Sequence, residues 1–168
     1  TYHISLGQAT VKYQRFTHPN GKQGRVWGFD RPAPKEAQDL AFVTLYSTIN
    51  TYVSHNAITP IKRLNKGLEL VSETHMNDLF VGESTQFQVL FDGNPLEQAI
   101  ELNVVRGQTR YRNDREVRTI KTDKQGFFTV SWHKPGVYLF ESEREISPKK
   151  GNKVIKHALY TTLEVNPE

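Results

Sequence analysis

The chain has 168 residues, of which 36% are hydrophobic and 24% charged, and it carries a formal net charge of +4. This composition is too apolar for a disordered segment and is sufficient for one sizeable core or two small ones. Cysteine is absent, which excludes disulfide frameworks, thiolate metal sites and cysteine nucleophiles. No apolar run approaches the roughly 20 residues needed to cross a bilayer, so we expect no transmembrane segment in this chain.

Residues 1–59 are predicted to be rich in β-strands. The stretches VKYQRF and GRVWGF flank Thr17–Gly21, a plausible hairpin loop, and AFVTLYSTINTYVSH contains strong strand formers without helix caps. Pro34 to Leu40 is the only helical candidate, with one or two turns that begin at a proline. We therefore predict a partial N-terminal β-domain that resembles the second half of a sandwich. Residues 60–67, reading PIKRLNKG, are predicted to be a linker because they are polar and bounded by chain-breaking residues.

From Leu68 to Val165 the dominant hydrophobic period is two, which is typical of half-buried antiparallel strands. About seven short strands separated by turn sequences are predicted, and this spacing favours an immunoglobulin-like antiparallel β-sandwich over residues 68–168. The residues predicted to face the core are Thr85, Phe87, Val89, Phe91, Ile100, Leu102, Val104, Phe128, Val130 and Trp132. The predicted fold class is thus all-β.

The stretch GVYLFESE, which begins at Gly136, is interpreted as architectural. In sandwiches of this type a tyrosine beside a tight corner bonds through its hydroxyl to nearby backbone, and the residue two positions further packs between the sheets. Tyr138 fits the corner and Phe140 the position between the sheets, while Trp132 anchors the preceding strand.

Four stretches resemble a bacterial periplasmic family of domains of unknown function that is described as a nickel-uptake substrate-specific region. They are GLELVSETHMNDLFVGESTQFQVLFDGNPL (from Gly67), TRYRND (from Thr109), TDKQGFFTVSWHKPGVYLFES (from Thr122) and ALYTTLEVNP (from Ala158). The resemblance implies a secreted protein of two β-domains, encoded near components of metal import, TonB-dependent receptors or membrane reductases. Because the chain starts at Thr1, we expect its targeting signal to lie outside this sequence and the mature protein to be periplasmic.

The chain has six histidines that could serve as metal ligands: His3, His18, His55, His75, His133 and His157. None forms the i, i+4 pair of a helical zinc site. Glu73, His75 and Asp78 lie in one short loop and His55 ends the preceding segment, so these ligands could meet at the junction of the two predicted domains and hold a divalent transition metal. The alternative is that His75 shapes a loop and Asp78 caps a turn.

Other chemistry finds little support in the sequence. The basic stretches at residues 106–118 and 149–156 are interrupted by acidic residues or lack a recognisable module, so we expect no nucleic-acid partner. Neither a Gly-x-Ser-x-Gly elbow nor a glycine-rich phosphate loop occurs. Glu141 and Glu143 share a strand face, but their basic neighbours favour cross-strand ion pairs over acid–base catalysis.

The sequence therefore predicts a periplasmic, non-enzymatic accessory protein of nickel-, cobalt- or iron-type metal uptake. It would bind a cation transiently or dock on a membrane transporter or reductase component. The alternative hypothesis is an adhesion or scaffold module that presents its loops or an edge strand to a protein or polysaccharide.

Overall fold

A computed structural model describes residues 2–55, 57–107, 114–147 and 151–167, and these residues form β-strands with no helix. The prediction of an all-β fold is therefore confirmed. The strands are β1 (Tyr2–Thr17), β2 (Gln23–Trp27), β3 (Gln38–Val53), β4 (Leu68–Ser72), β5 (Ser84–Phe91), β6 (Asn94–Pro95), β7 (Glu101–Arg106), β8 (Arg118–Lys121), β9 (Phe127–Ser131), β10 (Gly136–Ile146) and β11 (Lys153–Val165).

The strands form two sheets. The larger sheet has seven strands in the order β2-β1-β3-β11-β10-β7-β8, and the smaller one has β5 paired with β4, β6 and β9. Within the C-terminal part, β4, β5 and β9 face β7, β10 and β11. This is the strand arrangement of an immunoglobulin-like sandwich, in which consecutive hairpins alternate between two packed sheets.

The main core lies between the two sheets and follows the period-two pattern of the sequence. Phe87, Val89 and Leu102 are fully buried, and so are Val130 and Trp132. The Phe87 ring stacks on Phe128 and meets Trp132 edge to face, and the Trp132 Nε1–H donates to the Thr85 hydroxyl at 2.9 Å. The sequence thus predicted correctly which side of each of these strands faces inward.

The N-terminal part belongs to the same large sheet. Strand β3 pairs in parallel with β11 from Phe42 to Thr51, and β1 pairs antiparallel with β3 along almost its full length. The predicted division into residues 1–59, 60–67 and 68–168 therefore crosses a continuous sheet. A parallel ladder between strands about 110 residues apart leaves no local signal, because each strand carries only its own period-two pattern.

The corner at the start of β10 shows how local sequence positions a strand. The Tyr138 hydroxyl donates to the carbonyl oxygen of Lys134 at 2.8 Å, and burial raises the pKa of this phenol. Phe140, two residues further, is fully buried between the sheets, and Trp132 contacts the Tyr138 ring edge to face. The structure thus places all three side chains at positions where they support the sandwich.

Some predictions differ from the structure or fall outside its described part. Pro34 to Leu40 is not a helix: the Ala37 N–H closes one turn on the Pro34 carbonyl, and β3 then begins at Gln38. The strand-forming residues that follow outweigh the short helical signal. The centre of the first basic stretch (residues 108–113) and the start of the second (residues 148–150) lie outside the described residues.

His157 on β11 packs in an aromatic contact between the two sheets. Its ring stacks on Tyr46 of β3 at 5.4 Å and meets Phe91 of β5 edge to face at 4.8 Å, while the Arg144 guanidinium lies over the same Phe91 ring. Burial lowers the pKa of His157, and the positive charge of Arg144 lowers it further, whereas Asp92 acts in the opposite direction. The imidazole is therefore held neutral at this contact.

We expect this contact to make stability depend on pH. Because the folded-state pKa of His157 lies below its unfolded value, the unfolded chain binds more protons below about pH 6.5, and the free energy of unfolding should fall as pH decreases through that range. His157→Gln should remove this part of the slope in urea denaturation measured from pH 7.5 to pH 5. His133→Gln at an exposed turn is the control, and a slope that is the same in all three proteins contradicts the prediction.

Candidate functional site

A small pocket lies at the junction that the sequence analysis singled out. It has a volume of about 230 Å³ and is bounded by the end of β3, residues 60–63, β4 and the loop that follows β4. Ile61, Leu70 and Met76 supply apolar walls, while Glu69 and His75 bring polar groups. Its volume lies below the roughly 300–1,000 Å³ of most small-ligand pockets, although its lining of apolar walls with a few polar groups is of the same kind.

Glu69 on β4 is the buried charge of this pocket and holds the predicted linker in place. Only 3% of its surface is exposed, yet its carboxylate accepts the backbone N–H groups of Leu64 at 2.7 Å and Asn65 at 3.1 Å. Burial raises the pKa of the neighbouring Tyr52, and the negative charge of Glu69 adds to this effect. Tyr52 is thus a neutral phenol, and the linker is attached to the sandwich at this carboxylate.

His75 connects the same loop to the segment that follows β3. Its Nε2 lies 2.9 Å from the carbonyl oxygen of Thr59, and its Nδ1 accepts the Asn77 N–H at 3.1 Å. A carbonyl oxygen can only accept and a backbone N–H can only donate, so the ring is the neutral tautomer with its proton on Nε2. Both ring nitrogens are thus engaged in hydrogen bonds, one to the segment after β3 and one within the loop.

The other predicted metal ligands are spread around the junction. His55 is exposed and forms an isolated bridge with Ala57, while the side chains of Glu73 and Asp78 are exposed in the loop after β4. Across residues 2–55, 57–107, 114–147 and 151–167, no three His, Asp or Glu side chains are grouped closely enough to hold a metal ion. Metal binding by His55, Glu73, His75 and Asp78 stays a prediction.

The outer face of the seven-stranded sheet carries a wider and shallower pocket. It has a volume of about 450 Å³ and contains the side chains of Glu101, Glu141, Glu143 and Tyr160. Glu143 pairs with Lys156 of the neighbouring strand, and Glu141 lies 3.6 Å from Arg115. The pair of Glu143 and Lys156 is a cross-strand pair of the kind that the sequence favours, whereas Arg115 lies in the loop before β8. Exposed ion pairs of this kind contribute little to stability.

The edge of β1 is a surface that the sequence analysis missed. Strand β2 covers β1 only from Tyr13 to Thr17, so among the described strands residues 2–11 have β3 as their single neighbour. These ten residues contain no Lys, Arg, Asp or Glu. Sheet edges usually avoid unwanted pairing by being short or charged, and β8 at the opposite edge has four residues that include Arg118 and Lys121. We call residues 2–11 the open edge of β1.

Apolar side chains accompany the open edge. Ile4 and Val53 are about half exposed, and Val11 and Ile49 are each exposed by more than a third. They lie on β1 and on β3 beside it. The sequence shows that residues 2–11 are uncharged and rich in strand formers. Only the strand order shows that this strand lies at an edge of the sheet.

Fold and site together define an all-β sandwich protein whose seven-stranded sheet is extended by the N-terminal strands. The model of a family described as "Domain of unknown function (DUF4198)" matches residues 1–146, so the chain belongs to that family. The matched residues stop before β11, although this strand lies in the middle of the large sheet. No curated protein and no solved structure matches the chain. The described residues include no helix that is long and apolar enough to span a membrane.

Proposed function

We propose that this chain is a periplasmic, non-enzymatic accessory protein of nickel-, cobalt- or iron-type metal uptake that docks on a membrane transporter or reductase component. The observation that carries the proposal is the open edge of β1, which is long, uncharged and flanked by exposed apolar side chains. An extended segment of a partner can add to such an edge as a further strand. The association with metal uptake is supported by the resemblance of the sequence to the nickel-uptake family.

The geometry of the edge identifies the backbone groups that a partner strand would use. In an antiparallel pair the N–H and C=O groups of alternate residues point to the same side. The Lys12 carbonyl points away from β3, because it accepts the Gly28 N–H at 2.9 Å. Thr10, two residues earlier in the same uninterrupted register, therefore directs its N–H and C=O outward, whereas Val11 directs its own toward β3.

Transient cation binding at the junction is the second part of the proposal. Imidazole and carboxylate ligands hold divalent transition metals without the tight grip of thiolates, which suits a protein that passes a metal onward. For His75 to become a ligand, its ring would have to leave the Thr59 carbonyl and the Asn77 N–H. Binding at this place would thus be coupled to movement of the segment after β3.

Thr10→Pro tests the docking role, because proline removes the outward N–H and leaves the ladder to β3 in place. In host cells that lack the gene, the parent protein should restore uptake of radiolabelled Ni²⁺, Co²⁺ or Fe²⁺, and Thr10→Pro should restore less than about a third of it. Thr10→Val keeps the N–H and is the matched control. A thermal midpoint close to that of the parent shows that Thr10→Pro is folded, and cell fractionation checks that both proteins reach the periplasm.

Unchanged uptake in cells without the gene overturns the role in metal import. Equal complementation by Thr10→Pro and the parent overturns docking at the open edge. The remaining candidate is then the adhesion or scaffold module, for which Trp27 on β2 is the specific observation. Trp27 is 57% exposed, although the Arg25 guanidinium lies over its ring at 5.6 Å, and exposed aromatic surface of this kind is a common contact for a partner. Loss of binding to a polysaccharide array in Trp27→Ala would support that candidate.

A further inference from the structure

The positive charge of the chain is concentrated in the hairpin of β1 and β2. The chain has 22 basic and 18 acidic residues, and residues 12–31 contain five of the former and one of the latter. The other 17 basic and 17 acidic residues cancel, so this hairpin carries the whole net charge of +4. Arg15 is paired with Glu145 at 2.9 Å. The other four basic side chains are exposed, and they are Lys12, Lys22, Arg25 and Arg31. We call residues 12–31 the basic hairpin.

Two aromatic side chains of the basic hairpin are exposed at the edge of the sheet. Trp27 at the end of β2 is 57% exposed, and Phe29 is 40% exposed. Trp27 meets the Tyr13 ring edge to face at 5.7 Å, and Phe29 meets the Phe42 ring in the same way at 5.3 Å. Tyr13 lies opposite Val43, the residue after Phe42. Because successive residues of a strand point to opposite faces, Trp27 and Phe29 lie on opposite sides of the sheet.

Each of the two exposed rings has a basic side chain beside it. The Arg25 guanidinium lies 5.6 Å from the centre of the Trp27 ring, and the Lys12 ammonium lies 5.8 Å from the centre of the Phe29 ring. Such contacts place a positive group next to apolar surface on both sides of the edge. Aromatic rings flanked by Lys and Arg are typical of protein surfaces that lie in the interface of an anionic membrane. There the ring enters the headgroup region and the basic group meets the lipid phosphates.

The position of the rings favours a membrane over a small soluble ligand. Binding sites for small molecules are concave, whereas Trp27 and Phe29 lie on two sides of one sheet edge. One small ligand cannot cover both rings, but fluid lipid can surround an edge. The charge of the hairpin adds a long-range attraction to anionic lipid, which a neutral ligand would not use.

We propose that the basic hairpin binds the surface of a membrane that contains anionic phospholipid. Trp27 and Phe29 enter the headgroup region, and the four exposed basic side chains contact the lipid phosphates. The basic hairpin continues the sheet edge that includes the open edge of β1, so a chain bound in this way holds the open edge close to membrane components. The inference does not depend on a role in metal uptake.

The test is sedimentation of the full chain with lipid vesicles. The parent should sediment with vesicles of phosphatidylethanolamine and phosphatidylglycerol, and it should stay in solution with vesicles of phosphatidylcholine. Added salt should release it, because exposed charges are screened. Tryptophan fluorescence gives a second measurement. Trp132 is only 1% exposed, so a blue shift of the emission on binding reports the transfer of Trp27 into the interface.

Two double variants separate the charge of the hairpin from the charge of the whole chain. Lys22→Gln with Arg31→Gln should weaken binding by about 25-fold, because each basic residue near an anionic surface contributes roughly fivefold. Lys124→Gln with Lys134→Gln removes the same charge from two exposed turns of the C-terminal part, and it should bind nearly as the parent does.

Phe29→Ala tests the apolar contact at unchanged charge. It should weaken sedimentation and reduce its resistance to added salt, because only the electrostatic attraction gains nothing from the ring. Trp27→Ala should weaken sedimentation in the same way. The thermal midpoint of each variant shows that it is folded.

Several results would overturn the proposal. A parent chain that stays in solution with both kinds of vesicle does not bind membranes. Equal sedimentation with neutral and anionic vesicles, or equal weakening by the two double variants, excludes a specific role for the charges of the hairpin. Binding to alginate, a soluble acidic polysaccharide, without binding to vesicles assigns the hairpin to polysaccharides instead. Thr10→Pro keeps both rings and all basic side chains, so it should sediment as the parent does, and loss of docking at the open edge is thereby distinguished from failure of this proposal.

Discussion

Phe140→Ala is expected to lower the free energy of unfolding by about 3–5 kcal/mol, because it removes a buried ring and leaves a cavity that the core can fill only in part. Phe140 is fully buried on β10. Its ring lies 5.3 Å from that of Phe87 on the opposite sheet and 6.3 Å from those of Phe128 and Trp132. Urea denaturation, followed by tryptophan fluorescence, measures the change.

The matched control for this prediction is the same substitution at the surface. Phe29 is 40% exposed and contacts the Phe42 ring edge to face at 5.3 Å. Phe29→Ala should cost about 1 kcal/mol, which is the value of such a pair. If Phe140→Ala and Phe29→Ala lower stability equally, Phe140 does not lie at the centre of the core.

Gly126→Ala is expected to destabilise the protein by about 2–5 kcal/mol, through backbone strain and through overpacking. Gly126 has a φ of +91° in the turn before β9, where the Asp123 carboxylate accepts the N–H groups of Gln125 and Phe127 at 2.8 Å. A Cβ at this position would overlap the carbonyl oxygen of Val89, and the Val89 N–H donates to the Gly126 carbonyl at 2.9 Å. The turn and β5 would have to separate.

Gly21→Ala distinguishes the two causes. Gly21 has a similar φ of +80°, but a Cβ there would meet no atom within 4 Å. Its substitution should cost about 1 kcal/mol, the usual value for a non-glycine residue at positive φ. Thermal denaturation of both variants gives the comparison. Equal losses of stability would mean that the close approach of β5 to the turn of Gly126 does not restrict the residue at that position.

The sequence predicted those features that depend on neighbours close along the chain. The alternation from Thr85 to Phe91 identified the buried face of β5, since successive side chains of a strand point to opposite faces. The corner at Tyr138 could be assigned because its partner, Lys134, lies only four residues upstream. The hydrophobic period of two and the local residue types were sufficient to assign the buried face of β5 and the corner at Tyr138.

Features that depend on distant pairing could not be predicted in this way. The open edge of β1 exists because β2 is short, and the position of β3 depends on β11. The role of His75 follows from Thr59, sixteen residues earlier in the chain. Period and residue type describe each strand but not its neighbours, so strand order and its consequences for the site were missed.

The parallel ladder between β3 and β11 has a consequence for how the protein is made. Residues 42–51 of β3 pair with residues 153–162 of β11, which are synthesised much later. The middle of the large sheet can therefore form only when nearly all of the chain is present. Closure of so long a loop must precede the gain from these contacts, and topologies of this kind fold slowly. Until then, one side of β3 presents unpaired backbone beside apolar side chains to other molecules. A chain with this topology benefits from completing its last strand before it meets further copies of itself.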